Sequence, residues 1–398
     1  MKNFKIPTLP TSFKVTMAVL LVLALAGFGS YGYQLINGLG TTGLNNGTSW
    51  GMYIAMFLFC EGMASGCMIL ATSGYVFKND ALKRCALPGA ALGLIFMAFA
   101  GLFVTLDLGN IFHILNLIIH LNFVSPLAWD IMSITSFLVV AVAFIAMILM
   151  HKDDSKLHNA LAHIAFALAI IVPTVAAFIF AVHAGREGWH SAVMPPLFVA
   201  SGLDSGAALL ILTLMGLTRQ KVFEVADSLL DTLSGLLTMF VAADAFMIIS
   251  ELVIMSYPGV PGDLELLHEM TQGAVSGYFW VEIIVGLAIP FALLMFSSMR
   301  KRKPVVAIAS LGVIIGVFCK RMWLTMTSFI HPNIAGAPGL ITATENPGTG
   351  MDVWAVTSSY VPQMPEIILA IGMFALACAL FLAFAYIVLP WFDQNADT

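Results

Sequence analysis

Trp50-Gly51-Met52-Tyr53, running on into Cys60-Glu61-Gly62-Met63-Ala64-Ser65-Gly66, is the stretch around which the chain is organised. It opens a long apolar run and places a carboxylate where hydrocarbon belongs. Its small-residue core returns once. Gly202-Leu203-Asp204-Ser205-Gly206, preceded by Ser201, repeats the Gly-x-x-Ser-Gly pattern of Gly62 to Gly66 at a spacing of 140 residues. Each copy sets one acid beside small residues, which are suited to close helix packing in a membrane. Two related helix bundles, each built on one copy, are the expected architecture.

Outward from this element the chain stays apolar. Of its 398 residues, 60% are hydrophobic and 10% charged, against about 25% charged in a soluble domain. The fold class is therefore an all-α polytopic membrane protein, with the lipid bilayer as its surroundings and no nucleic acid among its partners. The net charge of −5 says little, because most charges must lie in loops. Apolar runs give ten candidate transmembrane helices, at 15–37, 50–76, 87–107, 125–150, 159–183, 191–217, 225–256, 270–298, 304–330 and 363–389. The first run has no cleavage site after it and is long enough to span and stay. Cys60, Cys67, Cys85, Cys319 and Cys378 form no C-x-x-C pair, so neither disulfides nor a resident iron–sulfur cluster is expected.

Basic residues set the orientation. Lys2, Lys5 and Lys14, then Lys78, Lys83 and Arg84, Lys152 and Lys156, Arg219 and Lys221, and Arg300 to Lys303 all fall on one side. The opposite loops hold only Arg186, while Lys320 and Arg321 lie within a span. Both termini are therefore expected in the cytoplasm, with the chain in a bacterial inner membrane. The outer segments are longer and more polar, and His113, His120, His183, His190, His268 and His331 fall in them. Partner binding is expected on that face.

Charged groups inside a span cost about 2.5–3.5 kcal/mol each on insertion scales, and each is a candidate functional group. They are Glu61, Asp204, Asp244, Glu251, Glu282, Lys320 and Arg321, with Asp107 and Asp130 near span ends. At 1.5 Å per residue Glu61 lies about 16 Å below Trp50, and Glu282 and Arg321 lie at about the same depth. Charges thus gather between the outer face and the midplane. Lys320 and Arg321 should pair with acids of the second bundle. A structural ion pair and a proton route or quinone-linked acid–base site are both open readings. No facing pair of mid-membrane histidines is evident, the histidines other than His163 being placed at the surfaces, so resident haem is not expected. Trp50, Tyr53, Trp129, Trp189 and Tyr257 have a bland reading as interfacial belt residues. Trp50 and Tyr53 follow the polar turn Gly43-Leu44-Asn45-Asn46-Gly47, which has hydrogen bonds to offer a quinone head group.

Five stretches in order resemble the NrfD/PsrC family of respiratory membrane subunits. Asn46-Gly47-Thr48-Ser49-Trp50-Gly51-Met52-Tyr53-Ile54-Ala55 is similar to its W-G-[LM]-Y-I opening, and Ser125-Pro126-Leu127-Ala128-Trp129 to its S-P-x-x-W span start. Gly185-Arg186-Glu187-Gly188-Trp189-His190 with Pro195-Pro196-Leu197-Phe198, Gly316 to Arg321 with Trp323, and Tyr360-Val361-Pro362 to Pro365-Glu366-Ile367 complete the set. Ten spans and the last motif look most like the larger, HybB-like branch, which includes membrane subunits of periplasmic uptake hydrogenases. The resemblance implies two four-helix bundles, at 50–183 and 184–330. They are flanked by 1–49 (tail, first helix, outer loop) and 331–398 (outer loop, last helix, tail).

It also implies menaquinone or another quinone as cofactor. The partners implied are a periplasmic ferredoxin-like iron–sulfur subunit and a catalytic subunit of hydrogenase or molybdopterin type. Carried over, the quinone pocket falls on Asn46, Trp50, Tyr53 and Glu61, beside the region from His120 to Trp129 and Asp130. The polysulfide reductase pattern has a histidine in the turn before the second span. None lies between Asn37 and Tyr53 here, and His113 or His120 is the candidate replacement. In the second bundle Asp204, Asp244, Glu251 and Glu282 around Lys320 and Arg321 are the expected proton relay. A secondary transporter with two parallel repeats is the rival reading. A mere anchor would need one or two spans.

Overall fold

A computed structural model of the chain describes residues 9–45, 48–152, 155–186, 188–330 and 360–396. The all-α expectation holds, with ten helices long and apolar enough to cross a membrane among the described residues. They are α1 (Thr11–Asn37), α2 (Met52–Val76), α3 (Ala86–Asp107), α4 (Pro126–Leu149), α5 (Lys156–Ala181), α6 (Met194–Arg219), α7 (Asp227–Ser256), α8 (Ser276–Leu294), α9 (Lys303–Ile330) and α10 (Met364–Ala396). Local signals set several starts. Pro126 stands in the first turn of α4, Pro195 and Pro196 in that of α6, where a missing N–H does no harm. Ser155 caps α5, its Oγ accepting from His158 N at 3.1 Å.

Two of the segments between spans hold more structure than the hydropathy pattern suggests. A short helix, Pro261–Gln272, precedes α8, so the span expected from 270 starts instead at Ser276, with Gly273 ending the short helix. A turn at Ile111–His113 and a helix at Ile114–Ile119 lie between α3 and α4. Both escape a hydropathy reading because short surface helices lack a long apolar run.

Packing follows from the small-residue patterns. α2 packs on α3 and α5, and α4 closes that ring against α3 and α5. α6, α7, α8 and α9 close a second ring in the same way. α1 and α10 pack on each other and lie against the first ring through α3. The rings join where α2 meets α6 and α9, and where α5 meets α6. α2 is the hub: every residue from Met52 to Gly74 is buried.

The two sequence copies meet each other at this seam. A Cβ added at Gly66 would overlap the Gly202 carbonyl and lie 2.9 Å from Gly206 Cα. One added at Gly206 would lie 2.5 Å from the Gly66 Cα. Glycine is therefore required at both positions. α8 departs from regular geometry: it widens into a π-helical segment, Glu282–Ala288, just before Pro290. The proline lacks an N–H and its ring would clash with the carbonyl four residues back, which the wider turn accommodates. The bulge opens with Glu282, one of the buried acids.

Candidate functional site

The N-terminal start of α2 is held by a polar clasp. Tyr360 Oη donates to Glu366 Oε1 at 2.6 Å and accepts from Met52 N at 2.8 Å. Glu366 Oε2 accepts from Gly43 N at 2.7 Å and Gln363 N at 2.9 Å. Burial first, and then the Glu366 carboxylate, push the Tyr360 phenol well above its ordinary value, so it stays a donor. Beside the clasp Tyr53 Oη donates to Gln34 Oε1 at 2.7 Å, and Gln34 Nε2 donates to Leu106 O at 3.2 Å. Asp107 and Glu366 lie within electrostatic reach of Tyr53.

Trp50 faces other partners. Its ring stacks on Trp189 with centroids 5.5 Å apart, and Phe180 and Phe329 meet both tryptophans edge-on. Trp189 Nε1 donates to Leu324 O at 2.9 Å, and the Arg186 guanidinium covers Phe329 at 4.7 Å. The belt reading is corrected here. Trp189 is 3% exposed, covered by Trp50, Phe180 and Phe329, and Tyr53 is 1% exposed, lying on the side of Gln34 and the clasp. Trp129 at 40% and Tyr257 at 89% are exposed. Trp50 and Tyr53 thus share a helix end but not a set of neighbours.

Deeper, a line of ionisable groups crosses from one ring to the other. Glu61 (α2) and Asp130 (α4) are buried across the first ring and within electrostatic reach of each other. Neither oxygen of Glu61, nor Oδ1 of Asp130, has a hydrogen-bond partner among the described residues. Arg321 of α9 is next. Its Nη2 donates to Ser201 Oγ at 2.7 Å, its guanidinium covers the Phe198 ring at 4.2 Å, and Nε and Nη1 are unbonded among the described residues. Glu61 of the first ring and Asp204, Asp244 and Glu282 of the second all lie within its electrostatic reach. Gly62 leaves room for it: a Cβ there would stand 3.4 Å from Arg321 Nη2.

The second ring holds the tight pairs. Lys320 Nζ donates to both oxygens of Asp244, at 2.5 and 2.6 Å, and pairs with Glu282 Oε1 at 3.0 Å. Trp323 Nε1 donates to Glu282 Oε2. Asp204 lies beside Asp244 and Lys320, its carboxyl against that of Asp244 and the Ser205 N–H, with no well-aligned hydrogen bond to either oxygen among the described residues. A buried carboxyl without a partner is costly, so these acids are places for a polar guest or water. Glu251 is apart from this cluster, accepting from Ser191 Oγ at 2.8 Å. A cavity of about 20 Å³ separates it from Trp323, room for a single water.

The candidate residues thus divide. Glu61, Asp130, Arg321, Asp204, Asp244, Lys320 and Glu282 come together, and Trp50, Tyr53 and Glu251 lie toward the end at which α2 starts. His113, His120, His183 and His190 are exposed on the segments between α3 and α4 and between α5 and α6. Asn46 and His331 lie outside the described residues. His158, placed at the surface by sequence, is fully buried against Tyr75 and Phe144 where α5 begins. Gln34, Ser201, Trp323, Tyr360 and Glu366 join the site without having been expected there as site groups. Gln34 and Ser201 are neutral and stand out little in apolar runs. Glu366 follows Pro365 at a helix start, where an acid reads as an ordinary cap. The five cysteines are free. Among the described residues no group of three or more His, Cys, Asp or Glu is arranged to hold a metal ion.

Comparison with known proteins places the chain among membrane subunits of respiratory reductases by sequence. The family model described as Polysulphide reductase, NrfD, matches residues 40–333. A selenate reductase subunit of Mesobacillus selenatarsenatis is 24% identical, over 96% of this chain and 96% of its own. The Hdr-like menaquinol oxidoreductase integral membrane subunit of Archaeoglobus fulgidus is 24% identical, over 91% and 90%. The menaquinone reductase integral membrane subunit of Nitratidesulfovibrio vulgaris is 25% identical, over 96% and 93%.

Proposed function

Because this chain belongs to the NrfD family of polysulphide reductase membrane subunits, we propose that it exchanges electrons between the menaquinone pool and an iron–sulfur partner within a respiratory complex. The observation that carries this reading is the Glu61–Asp130 pair, two buried carboxyls across one helix ring, three of whose oxygens no described protein group bonds. Such orphaned oxygens fit the hydroxyls of a quinol. When bound, the quinol supplies two electrons and two protons per oxidation. The names of the menaquinol and menaquinone relatives support that choice of guest.

The chain's own groups then have distinct tasks. Glu61 and Asp130 take up or return protons at their free carboxylate oxygens. Arg321, held by Ser201 and Phe198, fixes the charge next to Glu61 and links it to Asp204. The Lys320–Asp244–Glu282 set has more acids than cations, so it can gain and lose protons while keeping its ion pairs. Glu251, with the small cavity beside Trp323, opens this set toward the outer end. Trp50, Trp189 and the Tyr360–Glu366 clasp shape the outer end where head group and partner meet. The clusters that receive electrons belong to a periplasmic ferredoxin-like subunit, which passes them to a catalytic subunit. Both termini are cytoplasmic and the iron–sulfur partner docks on the opposite face. The first ring, α2 to α5, is the quinone unit, and the second, α6 to α9, the proton unit.

Photolabelling the purified complex with an azidoquinone tests the placement. Labels are expected on peptides from the outer halves of α2 and α4. Labels confined to α6–α9 would move the site and overturn the assignment of Glu61 and Asp130.

A further inference from the structure

Two open clefts flank the end of α6 that carries the basic loops. One, of about 630 Å³, lies between α1, α3, α6 and α10. The other, of about 650 Å³, lies between α6, α7 and α9. Both fall in the size range of ligand sites, roughly 300–1,000 Å³. Their walls are hydrocarbon, with Leu92, Phe96 and Phe381 in the first and Met215, Leu230 and Ala307 in the second. They share three residues of α6: Leu212, Gly216 and Arg219.

Gly216 is the divide between them. A Cβ there would meet nothing within 4 Å, so no packing demand accounts for glycine at this point. Arg219, the last residue of α6, is exposed, and no hydrogen bond or ion pair engages it among the described residues. Two nearby cations are engaged: Lys303 Nζ pairs with Asp227 at 2.8 Å, and Arg300 pairs with Asp231 at 3.7 Å. One free guanidinium thus stands over a low saddle between two apolar slots.

We infer that this site holds a diacyl anionic phospholipid, with its phosphate on Arg219 and one acyl chain in each cleft. Charge and shape select this occupant. A guanidinium binds a phosphate through paired N–H donors, and basic pockets at helix ends collect anionic headgroups. Two slots meeting under one cation match a headgroup with two tails. A single-chain guest would fill only one.

The test uses the complete detergent-purified complex, stripped of lipid and refilled with phosphatidylglycerol, with phosphatidylcholine, or with glycerol phosphate alone. Native mass spectrometry reads retention. Wild type is expected to keep phosphatidylglycerol in preference to phosphatidylcholine. Arg219→Gln should weaken phosphatidylglycerol about fivefold, the effect of one basic residue near a membrane surface, and leave phosphatidylcholine unchanged. Gly216→Leu, which projects into open space, should lose both lipids at an unchanged melting temperature. Equal retention of the two lipids by wild type, or unchanged retention in both variants, would overturn the inference. Displacement of lipid by glycerol phosphate would make this a free-anion site and sink it too. So would a Gly216→Cys cross-link to another polypeptide, which would put a protein helix in the cleft.

Discussion

Lys320 sits among acids: Asp244, Glu282 and Asp204 all lie within electrostatic reach of its ammonium. It is fully buried against Asp244 and Glu282, both as deeply buried. Removing one member of a buried ion pair leaves the others uncompensated, a loss of about 3–5 kcal/mol. Lys320→Met is therefore expected to lower the melting temperature of the complex sharply. Adding Asp244→Asn and Glu282→Gln should recover most of it, because neutral partners need no cation. A single variant as stable as wild type would show the ion pair to be dispensable. At this scale charge is the legible signal. Lys320, Asp244 and Glu282 stand out in apolar runs because their insertion is costly. Gln34, Ser201 and Trp323 do not, although each bonds directly to a site residue. Trp189 reads as interfacial because its side chain suits an interface as well as a core, and only the second ring decides between them.

The element that organises the molecule is the α2–α6 seam. The repeat in the sequence marks Gly62 to Gly66 and Gly202 to Gly206 as packing surfaces. It does not say that the two surfaces are each other's partners, since similarity of two segments carries no information about contact. With the backbones this close, Gly66→Ala or Gly206→Ala forces the helices apart. Overpacking of this kind typically costs about 1–3 kcal/mol. Either variant should melt earlier and disturb Arg321, which reaches past Gly62 to Ser201. Gly216→Ala, in open space, serves as the control. Equal melting of all three would contradict the seam. The π-helical widening at Glu282 is written in Pro290, a proline inside an apolar run, and escapes notice because hydropathy registers length and not helix geometry.

Across the whole molecule the two rings are joined by a line of ionisable groups from Asp130 and Glu61 through Arg321 to Asp204, Asp244, Lys320 and Glu282. Hydropathy and the placement of lysine and arginine make the ten helices and their alternation legible. The connection between rings is not, because it depends on which helices face each other. Where the polysulfide reductase pattern has a histidine before α2, this chain has a backbone-anchored clasp, Tyr360–Glu366–Gly43, whose two sides lie 323 residues apart in sequence. The most direct test of the account is the turnover of the purified complex with a menaquinol analogue and an artificial acceptor. Glu61→Gln keeps the size of the side chain and removes its proton exchange. It is expected to lower kcat by about a hundredfold or more, the usual contribution of a positioned acid–base group, with KM little changed and every subunit retained. A Glu61→Gln complex that turns over at the wild-type rate would contradict it.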